Sequence, residues 1–179
     1  MAAWGIDPLF TLAIAWSLAA LFGASTAHKA ASLQEWLAIV RNYRLLPERL
    51  VATVAALVLV AGGLTAVALV LPATRRLAGC GAAVQLLVFA AALAVNVRRG
   101  RTSIDCGCLG SALRGREGGI SGWMAARNVL LAVLAACLLL PVAPRELTAL
   151  DLATCAGCVA TVCFLYPVIA VVLQRSAAP

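Results

Sequence analysis

Seven cysteines are spread along the chain, and two of them stand around a single glycine in Asp105-Cys106-Gly107-Cys108-Leu109-Gly110. A disulfide across one residue closes a very small ring, and glycine supplies dihedrals that a side chain forbids. Such a bond is strained and more readily reduced than a structural one, so the chemistry it suggests is thiol–disulfide exchange. Arg98, Arg99, Arg101 and Arg127 favour a thiolate there, while Asp105 opposes it. Two other readings stand beside this one. Two thiolates can begin a zinc site, but His28 is the only histidine, so no metal centre is expected. The third is a merely structural turn.

Cys155-Ala-Gly-Cys158 is a second candidate. One helical turn apart, its two sulfurs lie on the same side of a helix, and a helix amino terminus stabilises a thiolate. Cys155 and Cys158 are therefore secondary redox candidates. Cys80, Cys137 and Cys163 read as small apolar side chains in helices. Arg127 and Asn128 fall about five residues inside an apolar stretch, on the side of the C-G-C pair, where a charge is costly. Arg127 either faces the bundle and supports a thiolate or snorkels to the interface.

The elements that carry these residues follow from composition. Of 179 residues, 64% are hydrophobic and 12% charged, with a mean hydropathy of +1.01. That apolar excess excludes a soluble enzyme, a disordered chain and a small disulfide-stapled secreted module. An all-α integral membrane helical bundle is expected, as one domain over 1–179. Five stretches, 8–27, 50–71, 77–97, 122–141 and 152–173, have the roughly 20 residues that a bilayer crossing needs. Residues 8–27 lack the basic start of a signal peptide and are expected to stay as an anchor. Between the first two spans, Leu33, Trp36, Leu37, Val40 and Tyr43 recur at helical spacing, which predicts an interfacial amphipathic helix over 32–47 or a solvated linker helix. Ser32 and Glu35 fit a capping box, and Pro47 a stop.

Charge placement orients the bundle. On the face of the amino terminus, side A, stand Arg75, Arg76 and Arg145. The opposite face, side B, has Lys29, Arg41, Arg44, Arg49, Arg98, Arg99, Arg101, Arg114, Arg116 and Arg175. Ten against three puts side B, with the C-G-C pair, in the cytoplasm. These arginines hug the membrane and suit anionic head groups rather than nucleic acid.

Asn42-Tyr-Arg-Leu-Leu-Pro47, Asp105-Cys-Gly-Cys-Leu-Gly110 and Arg127-Asn128, in that order, resemble the MauE family of methylamine-utilisation membrane proteins, which has DoxX-like relatives. The likeness covers roughly residues 8–175, with Leu109 where a Phe is common. It implies a multi-pass protein of the bacterial inner or plasma membrane that works with a thioredoxin-like partner. Its client would be a disulfide-bearing protein of the methylamine dehydrogenase small-subunit type, matured outside the cytoplasm. Cys106 and Cys108 would be the redox pair, with Arg127 in support. By analogy with other membrane thiol oxidoreductases, a membrane quinone is the candidate cofactor. Maturation outside the cytoplasm requires side B outside, against the charge count. Two other functions compete, a non-enzymatic scaffold for a maturation complex and a small transporter using Arg127, Asn128 and His28.

Overall fold

Asp7 and Pro8 start the first helix. The Asp7 carboxylate accepts from the Leu9 N–H at 2.8 Å, and Pro8 sits where no amide is needed. The computed structural model describes residues 5–101 and 120–176, so Cys106 and Cys108 lie outside the described residues. Among these, the helices are α1 (Pro8–Ala31), α2 (Leu33–Asn42), α3 (Glu48–Val70), α4 (Arg75–Arg98), α5 (Gly122–Cys137) and α6 (Ala149–Ser176). The protein is an all-α bundle. Three helices, α1, α3 and α4, are long and apolar enough to cross a membrane, whereas α5 and the apolar stretch Ala149–Leu165 of α6 are shorter.

The expected span over 122–141 is cut back for a local reason. Pro141 disfavours helix at the residue before it. The chain tightens instead, with Leu139 N–H donating to Ala136 O and Leu140 N–H to Cys137 O. What remains, 16 residues, is about 24 Å long, short of about 30 Å of hydrocarbon.

Ser32 alone separates α1 from α2. The capping box expected from Ser32 and Glu35 is not formed, since the Ser32 side chain makes no cap bond. Its backbone is embedded in near-continuous helix, donating to His28 O and accepting from Trp36 N–H. Nor does Pro47 stop α2. The helix ends at Asn42, Arg44 takes a left-handed φ of 46°, and Pro47 opens α3 instead.

Close packing depends on small residues at two crossings. In the α1–α3 pair, a Cβ on Gly62 would meet Thr26 Oγ1 at 2.8 Å, and Gly23 lies by Ala66. These matches make the two helices antiparallel. The most extensive pair is α4 with α5. Gly79 lies against Leu138 and Ala135 at one end, and Leu93 packs with Met124 and Ile120 at the other. Between these crossings lies a core of Ala15, Leu18, Phe22, Leu69, Ala82, Leu86 and Ala132. Leu57, Leu64, Leu77, Val84, Val133 and Phe164 point outward and exposed, a surface suited to lipid.

A clasp fastens the side-A end. Ile6 forms an isolated parallel bridge with Val142, in which Ile6 N–H donates to Pro141 O and Ala143 N–H to Ile6 O, both at 2.9 Å. Gly5 permits this approach, because a Cβ there would stand 2.6 Å from Ala143 N. Arg145 then bridges Asp7 and Asp151, at 3.4 and 2.8 Å. The reciprocal capping box found in this protein is at Thr148 and Asp151. The carboxylate accepts from the Thr148 N–H, and the Thr148 hydroxyl oxygen accepts from the Asp151 N–H.

These contacts hold the Asp151 carboxyl below its ordinary range, the Thr148 N–H first, then the Thr148 hydroxyl and Arg145. A depressed folded-state value adds stability that is complete above the unfolded value, near 3.8, and is lost as pH falls through the folded one. Asp151→Asn is expected to lower the melting temperature in detergent at neutral pH. The gap from wild type should close progressively below about pH 4. A gap that stayed constant down to pH 2 would contradict this role for the carboxylate.

Candidate functional site

The segment that carries Cys106 and Cys108 departs from α4 in a Schellman motif. Gly100, at a left-handed φ of 69°, donates to Val97 O, and Arg101 N–H donates to Asn96 O, both at 3.0 Å. It returns at Ile120, which is buried with Leu93 and Met124. Both ends are thus fixed at the side-B end of the α4–α5 pair.

Around those anchors the interior is polar. Arg127, on α5, is half-buried, its Nε and Nη2 atoms are shielded from the surface, and it is engaged in a further contact. It therefore lies against the bundle rather than snorkelling free. Among the described residues, Asn128, 4% exposed, has an Nδ2 group without a hydrogen-bond partner. Asn96 is fully buried, its Nδ2 donating to Ala92 O at 3.0 Å while Oδ1 has no partner among the described residues. Buried amides with spare hydrogen-bonding capacity are costly in a membrane interior, which makes this region the candidate site.

Sequence reasoning missed Lys29. Counted there as a surface charge, it is only 8% exposed. Its Nζ donates to Ser25 Oγ at 2.5 Å and stands 5.0 and 5.5 Å from the ring centres of Trp36 and Phe89. The signal was available, because Leu18, Phe22 and Lys29 share one helical stripe, and the first two are plainly core. Trp36 is anchored in turn by donation to Ala55 O at 3.1 Å. Tyr43 packs against both the Trp36 cluster and the Leu93 cluster. The Asn42–Pro47 motif therefore ties the short helix α2 to the place where the cysteine segment is anchored.

The other sequence candidates separate. Cys155 is completely buried on the α6 face that packs toward α1, and Cys158, one turn on, is exposed. Both lie toward side A and away from the Arg101 and Ile120 anchors. Arg75, read in the sequence only as a side-A charge, opens α4. Its Nε donates to Leu69 O at 3.4 Å, while the Thr74 hydroxyl donates to Ala68 O, so both residues cap the last carbonyls of α3. Cys80 and Cys163 are exposed on apolar helices, and Cys137 is half-buried. His28 is half-buried at the end of α1. Among the described residues no cluster of three or more His, Cys, Asp or Glu could hold a metal ion.

Comparison with known proteins places this arrangement. The family model described as methylamine utilisation protein MauE matches residues 7–141. A methylamine utilization protein MauE from Paracoccus denitrificans is 41% identical over 169 residues, covering 92% of this chain and 89% of the relative. The namesake from Paracoccus versutus is 43% identical over 150 residues, 83% and 78% of the two chains. That from Methylorubrum extorquens is 38% identical over 141 residues, 77% and 74%. No solved structure matches. Three membrane-length helices, the family match over residues 7–141 and these relatives lead to one conclusion: this multi-pass membrane protein belongs to the MauE family.

Proposed function

We propose that the chain, acting as one domain over 1–179, is a membrane thiol–disulfide exchange protein that helps a disulfide-bearing client mature. In this reading α5 and α6 also lie in the bilayer, giving five spans with α2 at the interface. Cys106 and Cys108 are the reactive pair. The observation that carries the proposal is the anchoring of their segment at Arg101 and Ile120, beside half-buried Arg127 and buried Asn128. The relatives' name, methylamine utilization protein, supports a client of the methylamine dehydrogenase small-subunit type.

The exchange balances without any further group. A client thiolate attacks one sulfur of the Cys106–Cys108 disulfide, and the other leaves as a thiolate that takes a proton. The client's second thiolate then attacks the mixed disulfide, so the client is oxidised and the pair reduced. A thioredoxin-like partner in its disulfide form reoxidises the pair by the same two steps. A guanidinium such as that of Arg127 favours the thiolate on which each step depends.

The test is labelling of Cys106 and Cys108 in intact cells with a membrane-impermeant thiol reagent, before and after mild reduction. Labelling from outside that depends on reduction is the expected result for an extracytoplasmic disulfide. Labelling without reductant would overturn the disulfide, and labelling only in opened cells would overturn the extracytoplasmic placement in favour of the charge count.

A further inference from the structure

On α6 the residues turned toward the bundle are Asp151, Cys155 and Val159, spaced four apart on one stripe. Asp151 is locked by Arg145 and Thr148, which sets the helix's rotation and puts Cys155 inside. Cys158 is on the adjoining face and exposed, and the exposed residues further along are Val162, Phe164, Leu165 and Val168. A surface of that kind meets lipid rather than water. One thiol is therefore hidden inside the bundle, and the other is presented to the hydrocarbon. The family model stops at residue 141, short of this pair.

We propose that Cys155 and Cys158 form a second dithiol–disulfide site, toward side A, that is oxidised by a lipid-soluble two-electron oxidant of the quinone class. Cys158 is the attacking sulfur and Cys155 the resolving one. The proposal rests on α6 lying in the bilayer and is independent of Cys106 and Cys108.

Two arguments favour this assignment. First, both thiols are free in the structure, as a regular helix requires. Side chains three apart hold their Cβ atoms about 5–6 Å from each other, and a disulfide needs about 3.5–4.5 Å. The dithiol is thus the relaxed form, and closing the bridge tightens one turn. Second, the oxidants that reach Cys158 are those dissolved in lipid, since it stands about 13 Å along α6 from the helix start.

The chemistry closes. The Cys158 thiolate adds to a quinone ring carbon, forming an S–C bond. The Cys155 thiolate then attacks the Cys158 sulfur, the S–S bond forms, and the S–C bond breaks with its electron pair left on the ring. The two thiol protons finish on the quinone oxygens. One dithiol is oxidised for each quinone reduced to quinol.

The experiment uses the full chain in lipid nanodiscs, in a Cys106→Ser, Cys108→Ser background, so failure of the proposed function leaves this result untouched. Decylubiquinone is added without oxygen, and differential alkylation with mass spectrometry reads the fragment holding Cys155 and Cys158. One quinol per protein and a Cys155–Cys158 disulfide are expected. Cys158→Ser should abolish the reaction, and Cys155→Ser should stop it before quinol is released. Cys→Ala variants repeat the test where serine disturbs α6, and the unmutated pair needs no variant at all. Both cysteines remaining alkylatable after quinone treatment would overturn the site. Equal oxidation by water-soluble glutathione disulfide would overturn the lipid-borne oxidant.

Discussion

Serine in place of Cys106 or Cys108 is expected to reduce maturation of the client by at least about 10³-fold, the scale of losing an attacking nucleophile. The two single variants should differ in kind. Where the remaining cysteine is the one that attacks the disulfide of the oxidised thioredoxin-like partner, no second thiol of this chain completes the exchange, and a mixed disulfide with that partner accumulates that non-reducing electrophoresis separates from the free chain. The other variant should show no adduct and no activity. The double variant should fold and insert normally, with melting behaviour in detergent close to wild type. Full client maturation by the double variant would eliminate exchange at this pair, leaving the chain as a scaffold that presents α2 and the arginine-rich segment.

Gly79→Leu is the substitution with the largest expected effect on stability. Even a bare Cβ at this position would lie 2.9 Å from Leu138 Cβ and 3.0 Å from Ala135 O, and the second of these is backbone that cannot rotate aside. Three further carbons must push α4 and α5 apart at the bundle's most extensive contact. Overpacking of this kind costs about 1–3 kcal/mol, and a fall in Tm of about 5 °C in detergent is the expected reading. Gly157→Leu is the control, because nothing lies within 4 Å of a Cβ there. Equal melting of the two variants would show that the Gly79 crossing does not limit stability. The Gly79 variant should also weaken function through the other end of the same helix pair, where Asn96 and Ile120 anchor the cysteine segment.

Much of the fold was legible in the residues because apolar length is a one-dimensional property. The starts of α1 and α3 and the ends of α3 and α4 lie within two residues of the apolar runs, apart from the continuation of α1 to Ala31. What the residues concealed were events that depend on partners distant in sequence. Pro141 shortens α5 while its carbonyl accepts from Ile6, and Ser32 fails to cap because α1 runs into it. Thr148-Ala-Leu-Asp151 has the same capping pattern and does form the box, for there the chain enters the helix from an irregular connection. In the candidate site, Arg127 was legible as an intramembrane charge. Lys29 and Arg75 were not, because a count by side treats a cation near a helix end as surface, whatever stripe it occupies. Cys106 and Cys108 stood out by their spacing alone and lie outside the described residues.

The bridge between Ile6 and Val142 has a consequence for the order in which the protein is made. Its two halves are far apart in the sequence and leave the ribosome at well-separated times, and the Arg145 link to Asp7 and Asp151 waits for the same later stretch. Until then α1 can be inserted and can pair with α3, but its first turn has nothing to hold. The bundle is therefore a ring whose last joint is made after translation has delivered α6. A tag placed directly before Gly5 crowds that joint, and a tag after residue 176 does not.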